Sequence, residues 1–504
     1  MIKNFIFDSE SKAIIDHRVS EEFHIPSLIS IENAAFSIFQ AIQDKLSFKQ
    51  RIVIIIGPGN NGADGIALTR ILKIKDYRVA IHIATSHLSE DGQREYAMLE
   101  KLNVEEIELS DVHKDDLIID ALFGNGIKGE IKSDYYYLVD YINDLKAYVI
   151  GIDIPSGISA TSPLLPEKYI HNDLTVFIDS YPLSLFKYPS REAYNQYLLA
   201  DINFPQSIKE EMSDKAIMID SKIASSYLPQ RDDEANKGTY KKALIIGGSI
   251  RMTGAIELAA KAALHSGIGT ITLFIPKAID EIAKRINEVM YIVAPSYNGY
   301  FSDEAISLLK EEITKFDIIV IGNGMGRNEA SKKLLEAVLK SDKTVIVDAD
   351  ALYNLKNCRH LLNRSNTTIL TPHLKEFSYF TDFNIADIKE DPFKCLDTFI
   401  KEYPNVKVVL KSSFTIIKDN KETYVLNRPN SALAKGGSGD VLCGIILGLC
   451  ANTDDYIKAL VSASYVHSCS ANEKYDPNYF TASGLIDELN NTYLTLRKRK
   501  KGIE

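Results

Sequence analysis

Cysteine is scarce in this chain: Cys358, Cys395, Cys443, Cys450 and Cys469 are all there are in 504 residues, and no two make a CxxC pair. The spacing excludes the usual dithiol and zinc signatures, so the five read as reduced core residues, with Cys443 and Cys450 seven apart on one apolar helix face. Basic charge is also in deficit. Lys and Arg number 58 against 68 Asp and Glu, a net of −10, which leaves no global positive field to recruit nucleic acid or an anionic membrane. The run Arg497-Lys498-Arg499-Lys500-Lys501 is the exception and reads as a solvated end. Long apolar runs are missing too: no window approaches the ~20 residues of a membrane span, and the N-terminus has no apolar core of a signal peptide. A cytoplasmic protein acting on small molecules, with neither nucleic acid nor membrane as partner, is expected. There is no internal repeat or low-complexity tract.

What the chain does have is a regular alternation of short β-branched runs with amphipathic helical stretches, the pattern of parallel sheets covered by helices. The expected fold class is α/β, in two domains. In the first half the strand runs are 51–56, 78–83, 117–120, 147–152 and 174–178, after a helical stretch at 27–46. In the second they are 242–246, 270–275, 317–321, 344–347, 367–370 and 406–410, with a hairpin at 414–417 and 423–426. The rhythm breaks between them, so the division expected is 1–210, a linker at 211–230, and 231–504.

The most informative segment is Lys435-Gly436-Gly437-Ser438-Gly439-Asp440, which opens directly into the apolar helix beginning Val441-Leu442-Cys443. Unpaired N–H groups and the aligned peptide dipoles of a helix start favour an anion, and glycine lets a ligand approach the backbone closely. Asp440 suits proton removal from an attacking hydroxyl better than phosphate binding. Other strand ends of this half also carry polar groups: Gly247-Gly248-Ser249, Gly322-Asn323-Gly324, Asp348-Ala349-Asp350, Thr371-Pro372-His373 and Lys411-Ser412-Ser413-Phe414-Thr415. The glycine turn at 247–249 lacks the Gly-Lys-Ser/Thr ending of a P-loop.

In the first half the run 51–56 enters Gly57-Pro58-Gly59-Asn60-Asn61-Gly62-Ala63-Asp64-Gly65, a strand, a glycine turn and a helix. The spacing meets the dinucleotide fingerprint, but the next strand ends without the acid that would hold a ribose hydroxyl, which disfavours an NAD-redox domain. Asp120 and Asp153, each at a strand end, can converge with the Asn61 loop, because carboxyl ends of parallel strands face the ligand crevice.

Ile31-Glu32-Asn33-Ala34-Ala35, the loop 57–65, Asp120-Ala121-Leu122-Phe123-Gly124-Asn125-Gly126 and Asp153-Ile154-Pro155-Ser156-Gly157 together resemble the NAD(P)H-hydrate epimerase family over about residues 10 to 205. The resemblance implies a Rossmann-like domain in which Asn61, Asp120 and Ser156 hold a potassium ion. It also implies that Asn60, Asn61, Gly62, Ala63, Asp64, Gly124, Asn125, Gly126, Ile127, Lys128, Gly129 and Glu130 contact the substrate, with Asp153 catalytic at the nicotinamide ring. The family usually carries a lysine-glycine pair shortly after the strand 174–178; here the residues are Tyr181-Pro182-Leu183-Ser184.

The motifs of the second half, over about residues 231 to 490, resemble the ADP- or ATP-dependent NAD(P)H-hydrate dehydratases, which are ribokinase-like. By that likeness Ala255, Gly324, His373 and Asp440 line the hydrated nucleotide, Asp440 is catalytic, and Lys411, Ser412, Ser413, Phe414, Thr415 and Gly439 hold ADP or ATP with magnesium. Asn323 stands where proline is usual. The function implied is metabolite repair: epimerisation of the R and S hydrates of NADH and NADPH at ring carbon 6, then dehydration of the S hydrate with release of phosphate, ADP going to AMP. A homo-oligomer is expected. The alternative reading is a vitamin or sugar kinase fused to a non-catalytic nucleotide-binding or interaction module.

Overall fold

The computed structural model describes residues 3–127, 129–236, 238–283, 286–472 and 476–501. Two compact units emerge: one runs to Ala216 and takes in Lys389–Asp391, and the other holds Ile217–Ile388 and the chain from Pro392 onward. Among the described residues no single helix is long and apolar enough to cross a membrane.

The first unit is built on strands β1 (Arg51–Ile56), β2 (Arg78–Ile83), β3 (Glu105–Glu106), β4 (Leu117–Ala121), β5 (Tyr148–Ile152), β6 (Leu174–Ile178) and β7 (Gln196–Ala200). They lie in the order β3-β2-β1-β4-β5-β6-β7, and every pair is parallel. A sheet covered on both faces needs apolar residues at every position, and Ile52 to Ile56 are all 0 % exposed. Strand order reverses between β1 and β4, which places the ligand crevice at their carboxyl ends. Helices α1 (Ser9–Phe23), α2 (Ser27–Ile42) and α3 (Asn60–Ile74) surround that edge. The turn into α3 is close-packed: a Cβ at Gly57 would lie 1.7 Å from the carbonyl oxygen of Leu122, so only glycine lets the two loops meet.

The second unit begins inside the stretch expected as a linker: β8 (Ala216–Met218) and helix α4 (Ser221–Tyr227) are folded elements, capped by Asp220 on the N–H of Ile223. The strands that follow are β9 (Lys242–Ile246), β10 (Thr270–Pro276), β11 (Met290–Ala294), β12 (Ile318–Ile321), β13 (Thr344–Val347), β14 (Thr368–Leu370), β15 (Val406–Lys411), β16 (Thr415–Lys418) and β17 (Thr423–Leu426). Their order is β11-β10-β9-β12-β13-β14-β15-β16-β17-β8, parallel except at β15-β16-β17. The switch point here lies between β9 and β12. Helices α5 (Thr253–Leu264), α6 (Asp350–Asn354), α7 (Leu374–Phe380), α8 (Ser438–Cys450) and α9 (Tyr456–Ser470) bring the polar groups to it. Helix α8 is apolar on nearly every side and almost wholly buried, four of the five cysteines are buried, and all five are unbridged.

Candidate functional site

The crevice of the first unit has a volume of about 1290 Å³ and opens beside the β1–β4 switch point. Of the expected contacts, Asn60, Asn61, Asp64, Gly124, Asn125, Gly126, Ile127 and Asp153 line it, whereas Gly62, Ala63, Gly129 and Glu130 do not. Gly62 and Ala63 are buried in the first turn of α3. Lys128 lies outside the described residues.

Asp153 stands at the centre of this crevice, with a left-handed backbone (φ 67°) that a non-glycine residue adopts only under strain. Its Oδ1 accepts from Lys12 Nζ at 2.5 Å and its Oδ2 from the Asn125 N–H at 3.0 Å. Lys12, which no motif in the sequence marks, also lines the crevice. Burial is the largest single influence and works against its ammonium, but the charge and hydrogen bond of Asp153, with the charges of Asp16 and Asp179, together outweigh it and raise the pKa. Its only sequence signal was a lysine four residues before an acid on an amphipathic helix, which more often marks a solvated face. Asp16 is pushed up to about 6 by burial, against the pull of Lys12. Asp64 rises well above the carboxylate range through burial and the neighbouring Asp153 charge.

Asp120 and Ser156 do not line the crevice; both are fully buried beneath it. Ser156 donates its hydroxyl to Asp120 Oδ1 at 2.5 Å and its N–H to Oδ2 at 2.9 Å, and it accepts the Phe123 N–H at 2.8 Å. Burial lifts Asp120 to about 6 against these hydrogen bonds. The side chain of Asn61 is buried with neither amide atom hydrogen-bonded. A Cβ on Gly124 would sit 3.3 Å from Asn61 and 3.0 Å from Asp153, so the loop after β4 packs closely against both side chains. An orphaned amide oxygen and a buried carboxylate are hard oxygen donors of the kind an alkali cation takes.

In the second unit Asp440 lies in the first turn of α8, whose N-cap Gly437 has φ 89°. The Ser438 N–H turns back onto Lys435 O at 3.3 Å, leaving the N–H groups of Gly439 and Asp440 as the outward donors of the helix start. Behind the turn, His467 Nε2 is 3.1 Å from Ser438 Oγ, and burial pushes this imidazole down to about 4, so it is neutral. Asn323 Nδ2 donates to Asp440 Oδ1 at 2.7 Å and to Asp348 Oδ2 at 3.1 Å. Asp348 also accepts from Thr371 Oγ1 at 2.6 Å and faces Lys411 Nζ at 3.5 Å. Burial, then the Asp348 charge, push Asp440 up to about 7; the Asn323 hydrogen bond and the Lys411 charge pull the other way.

Gly439 and Lys411 adjoin, since a Cβ on the glycine would lie 3.6 Å from Nζ, and a Cβ on Gly324 would lie 3.0 Å from that of Ala255. Ala349, between the two aspartates, is likewise a non-glycine residue in the left-handed region (φ 49°). His373 caps α7: its Nδ1 accepts the Glu376 N–H at 3.1 Å while the Glu376 carboxylate takes the His373 N–H at 2.9 Å. Burial and Lys411 lower its pKa, which suits the acceptor role. It pairs with Lys411 across neighbouring chain segments and so sits at the same edge. Asp350 holds the Gly326 N–H and the Arg327 guanidinium, both at short range. Ser412 and Ser413 are exposed on a turn closed by Ser412 N–H on Phe414 O at 2.9 Å, and Phe414 is buried.

Comparison with known proteins matches residues 243–491 to the family model described as NAD(P)H-hydrate dehydratase, and residues 27–179 to the one described as YjeF-related protein N-terminus. The chain is 30 % identical over 483 residues to the bifunctional NAD(P)H-hydrate repair enzyme Nnr of Dictyoglomus turgidum, covering 92 % of each. The enzyme of the same description from Moorella thermoacetica is 29 % identical over 480 residues, 91 % of this chain and 90 % of that one. Among solved structures, the ADP/ATP-dependent NAD(P)H-hydrate dehydratase of Bacillus subtilis, co-crystallized with ATP and Mg2+, is 26 % identical, covers 55 % of this chain and 97 % of its own, and has a TM-score of 0.46.

Proposed function

Because this chain belongs to the family of bifunctional NAD(P)H-hydrate repair enzymes, we propose an assignment of the family's two reactions to its own side chains. The chain is an NAD(P)H-hydrate epimerase and a nucleotide-dependent NAD(P)H-hydrate dehydratase in one polypeptide. The epimerase is assigned to residues 1–210, the dehydratase to 231–504, and 211–230 to the connection.

Dehydration has to expel a hydroxide, which is a poor leaving group. Asp440 takes the proton of the C6 hydroxyl while that oxygen attacks the terminal phosphoryl of ADP or ATP, and the N–H groups of the α8 start receive the transferring charge. The ring nitrogen's electron pair then expels phosphate from C6, and loss of a proton from C5 restores the reduced nicotinamide. A magnesium ion brought in with the nucleotide would neutralise charge on its phosphates. Ala255, Gly324 and His373 are assigned to the hydrate; Lys411 to Thr415 and Gly439 are assigned to the nucleotide, with ADP preferred.

Inversion at C6 needs the hydroxyl proton moved to N1 as the bond from N1 to C6 opens to an aldehyde, and moved back from N1 to the oxygen when N1 closes on the opposite face of the carbonyl. Asp153 is the carboxylate assigned to that proton, with Lys12 and the Asn125 N–H orienting it. The residues fit a potassium ion held by Asn61, Asp120 and Ser156, which would add a fixed positive charge beneath a substrate rich in phosphate. We further assign the protein to the cytoplasm as a homo-oligomer of this chain, a point that sedimentation of the purified protein tests.

The observation that carries the reading is the Asp440 carboxyl at a glycine helix start, beside Lys411 and hydrogen-bonded to Asn323. The experiment is incubation of both hydrate epimers with the protein, potassium, magnesium and either ADP or ATP. Full return of the near-ultraviolet absorbance of NADH is expected. A phosphorylated product that persists would replace the dehydratase assignment with a kinase.

A further inference from the structure

Asn323 follows β12 at the switch point of the second sheet and is 0 % exposed. Its backbone oxygen accepts the Gly248 N–H at 2.8 Å, which fixes the loop independently of the side chain. The amide is wholly engaged: Nδ2 donates to Asp440 at 2.7 Å and Asp348 at 3.1 Å, and Oδ1 faces the thiol of Cys443 at 3.7 Å. Carboxylates offer only acceptors and a thiol is a weak donor, so chemistry dictates this orientation of the amide. One neutral donor therefore separates the buried Asp348 carboxylate from the half-buried Asp440 carboxyl.

The charged and titratable groups facing Asp440 come from four elements. Asp348 follows β13, Asp350 opens α6, Lys411 ends β15, and Cys443 lies one turn along α8 itself. Asp350 is engaged by Arg327 at 2.8 Å, and Lys411 lies 3.5 Å from Asp348. The groups that favour the charged form of Asp440 are thus Lys411, shared with Asp348, and the Asn323 amide.

We propose that Asn323 is a positioning residue of the dehydratase, orienting the Asp440 carboxylate and setting its proton affinity by bridging it to Asp348. The inference rests on Asp440 as the base of the reaction. With Asp440 at about 7, the dehydration rate rises through neutral pH as the carboxyl loses its proton. Without the amide the two carboxyl groups face each other directly, Asp440 holds its proton to higher pH, and the rising limb of the profile moves the same way.

The test is the pH dependence of kcat and KM for dehydration of the S hydrate by the full chain, in wild type, Asn323→Leu and Asn323→Ser, with nucleotide KM as the check on fold. Leucine keeps the volume and removes every donor, whereas serine keeps one hydroxyl. We expect the limb of Asn323→Leu to move up by about one unit, a loss of about tenfold in kcat on the acid side that closes at alkaline pH, with both KM values little changed. Asn323→Ser should fall between. An unmoved limb, or a loss equal at all pH values, overturns the proposal; should leucine abolish nucleotide binding, the serine variant decides by the same criterion. A wild-type profile with no limb near neutrality removes instead the assignment of Asp440 as base.

Discussion

The two aspartates assigned to proton transfer have opposite surroundings. Asp153 is paired with an ammonium at 2.5 Å, while Asp440 is hydrogen-bonded to a neutral amide and lies near a second carboxylate. A half-buried carboxyl lifted to about 7 destabilises the folded state wherever it must ionise, because between the ordinary carboxylate value near 4 and 7 the folded chain holds the proton more tightly than the unfolded one. Asp440→Asn removes that ionisation, so the melting temperature at pH 8 should not fall, while dehydration should drop by ~10²–10⁴, the usual range for a general base. Near-normal turnover would end the assignment. Lys12→Met leaves Asp153 among Asp16, Asp64 and Asp179 without its cation; epimerisation should collapse and dehydration persist, and Lys12→Arg should restore most of the loss. Equal epimerisation rates in the Met and wild-type proteins would leave Lys12 without a role. Neither contact was legible in the sequence, since each joins side chains more than a hundred residues apart.

Among the elements, the strands buried on both faces were the readable part. The runs at 51–56, 78–83, 174–178, 242–246 and 344–347 coincide with β1, β2, β6, β9 and β13, because a covered parallel sheet demands an unbroken apolar run. The edge strands β7 and β11 do not stand out in the sequence: exposed and half-buried positions alternate along β7, and β11 is fully buried only at its last residue, so the apolar pattern is diluted. The stretch 211–230 was read as a linker because β8 and α4 are short, and β8 is recruited by pairing with β17. Helix α8 carries a different constraint. A Cβ at Gly444 would lie 2.2 Å from the carbonyl oxygen of Ala259 on α5, so these two helices meet backbone to backbone. Gly444→Ala should push α8 off α5 and destabilise the second unit by about 1–3 kcal/mol, the range for overpacking, read as a lower melting temperature together with weaker dehydration. An unchanged melting temperature would mean the helix pair yields without strain.

At the scale of the whole molecule, two reactions on one damaged metabolite require that neither site be essential to the other's chemistry. Asp153→Ala should leave the dehydration kinetics of the S hydrate unchanged and slow consumption of the R hydrate to its uncatalysed conversion. A parallel fall in both activities would show a folding defect. The net charge of −10 makes long-range attraction of an anionic dinucleotide unfavourable, so local donors have to overcome it. The sequence by itself determined the α/β class, the glycine turns that close the strands and the family, because these are written in local spacing. Tertiary structure alone decided which polar groups meet. It set Asn323 between Asp348 and Asp440, Lys12 against Asp153, and Asp120 with Ser156 beneath the crevice, and it buried Asp440 deeply enough to hold a proton near neutrality. The reason is physical: proton affinity and hydrogen-bond partners depend on burial and on distances across the sheet, which no pattern along the chain records.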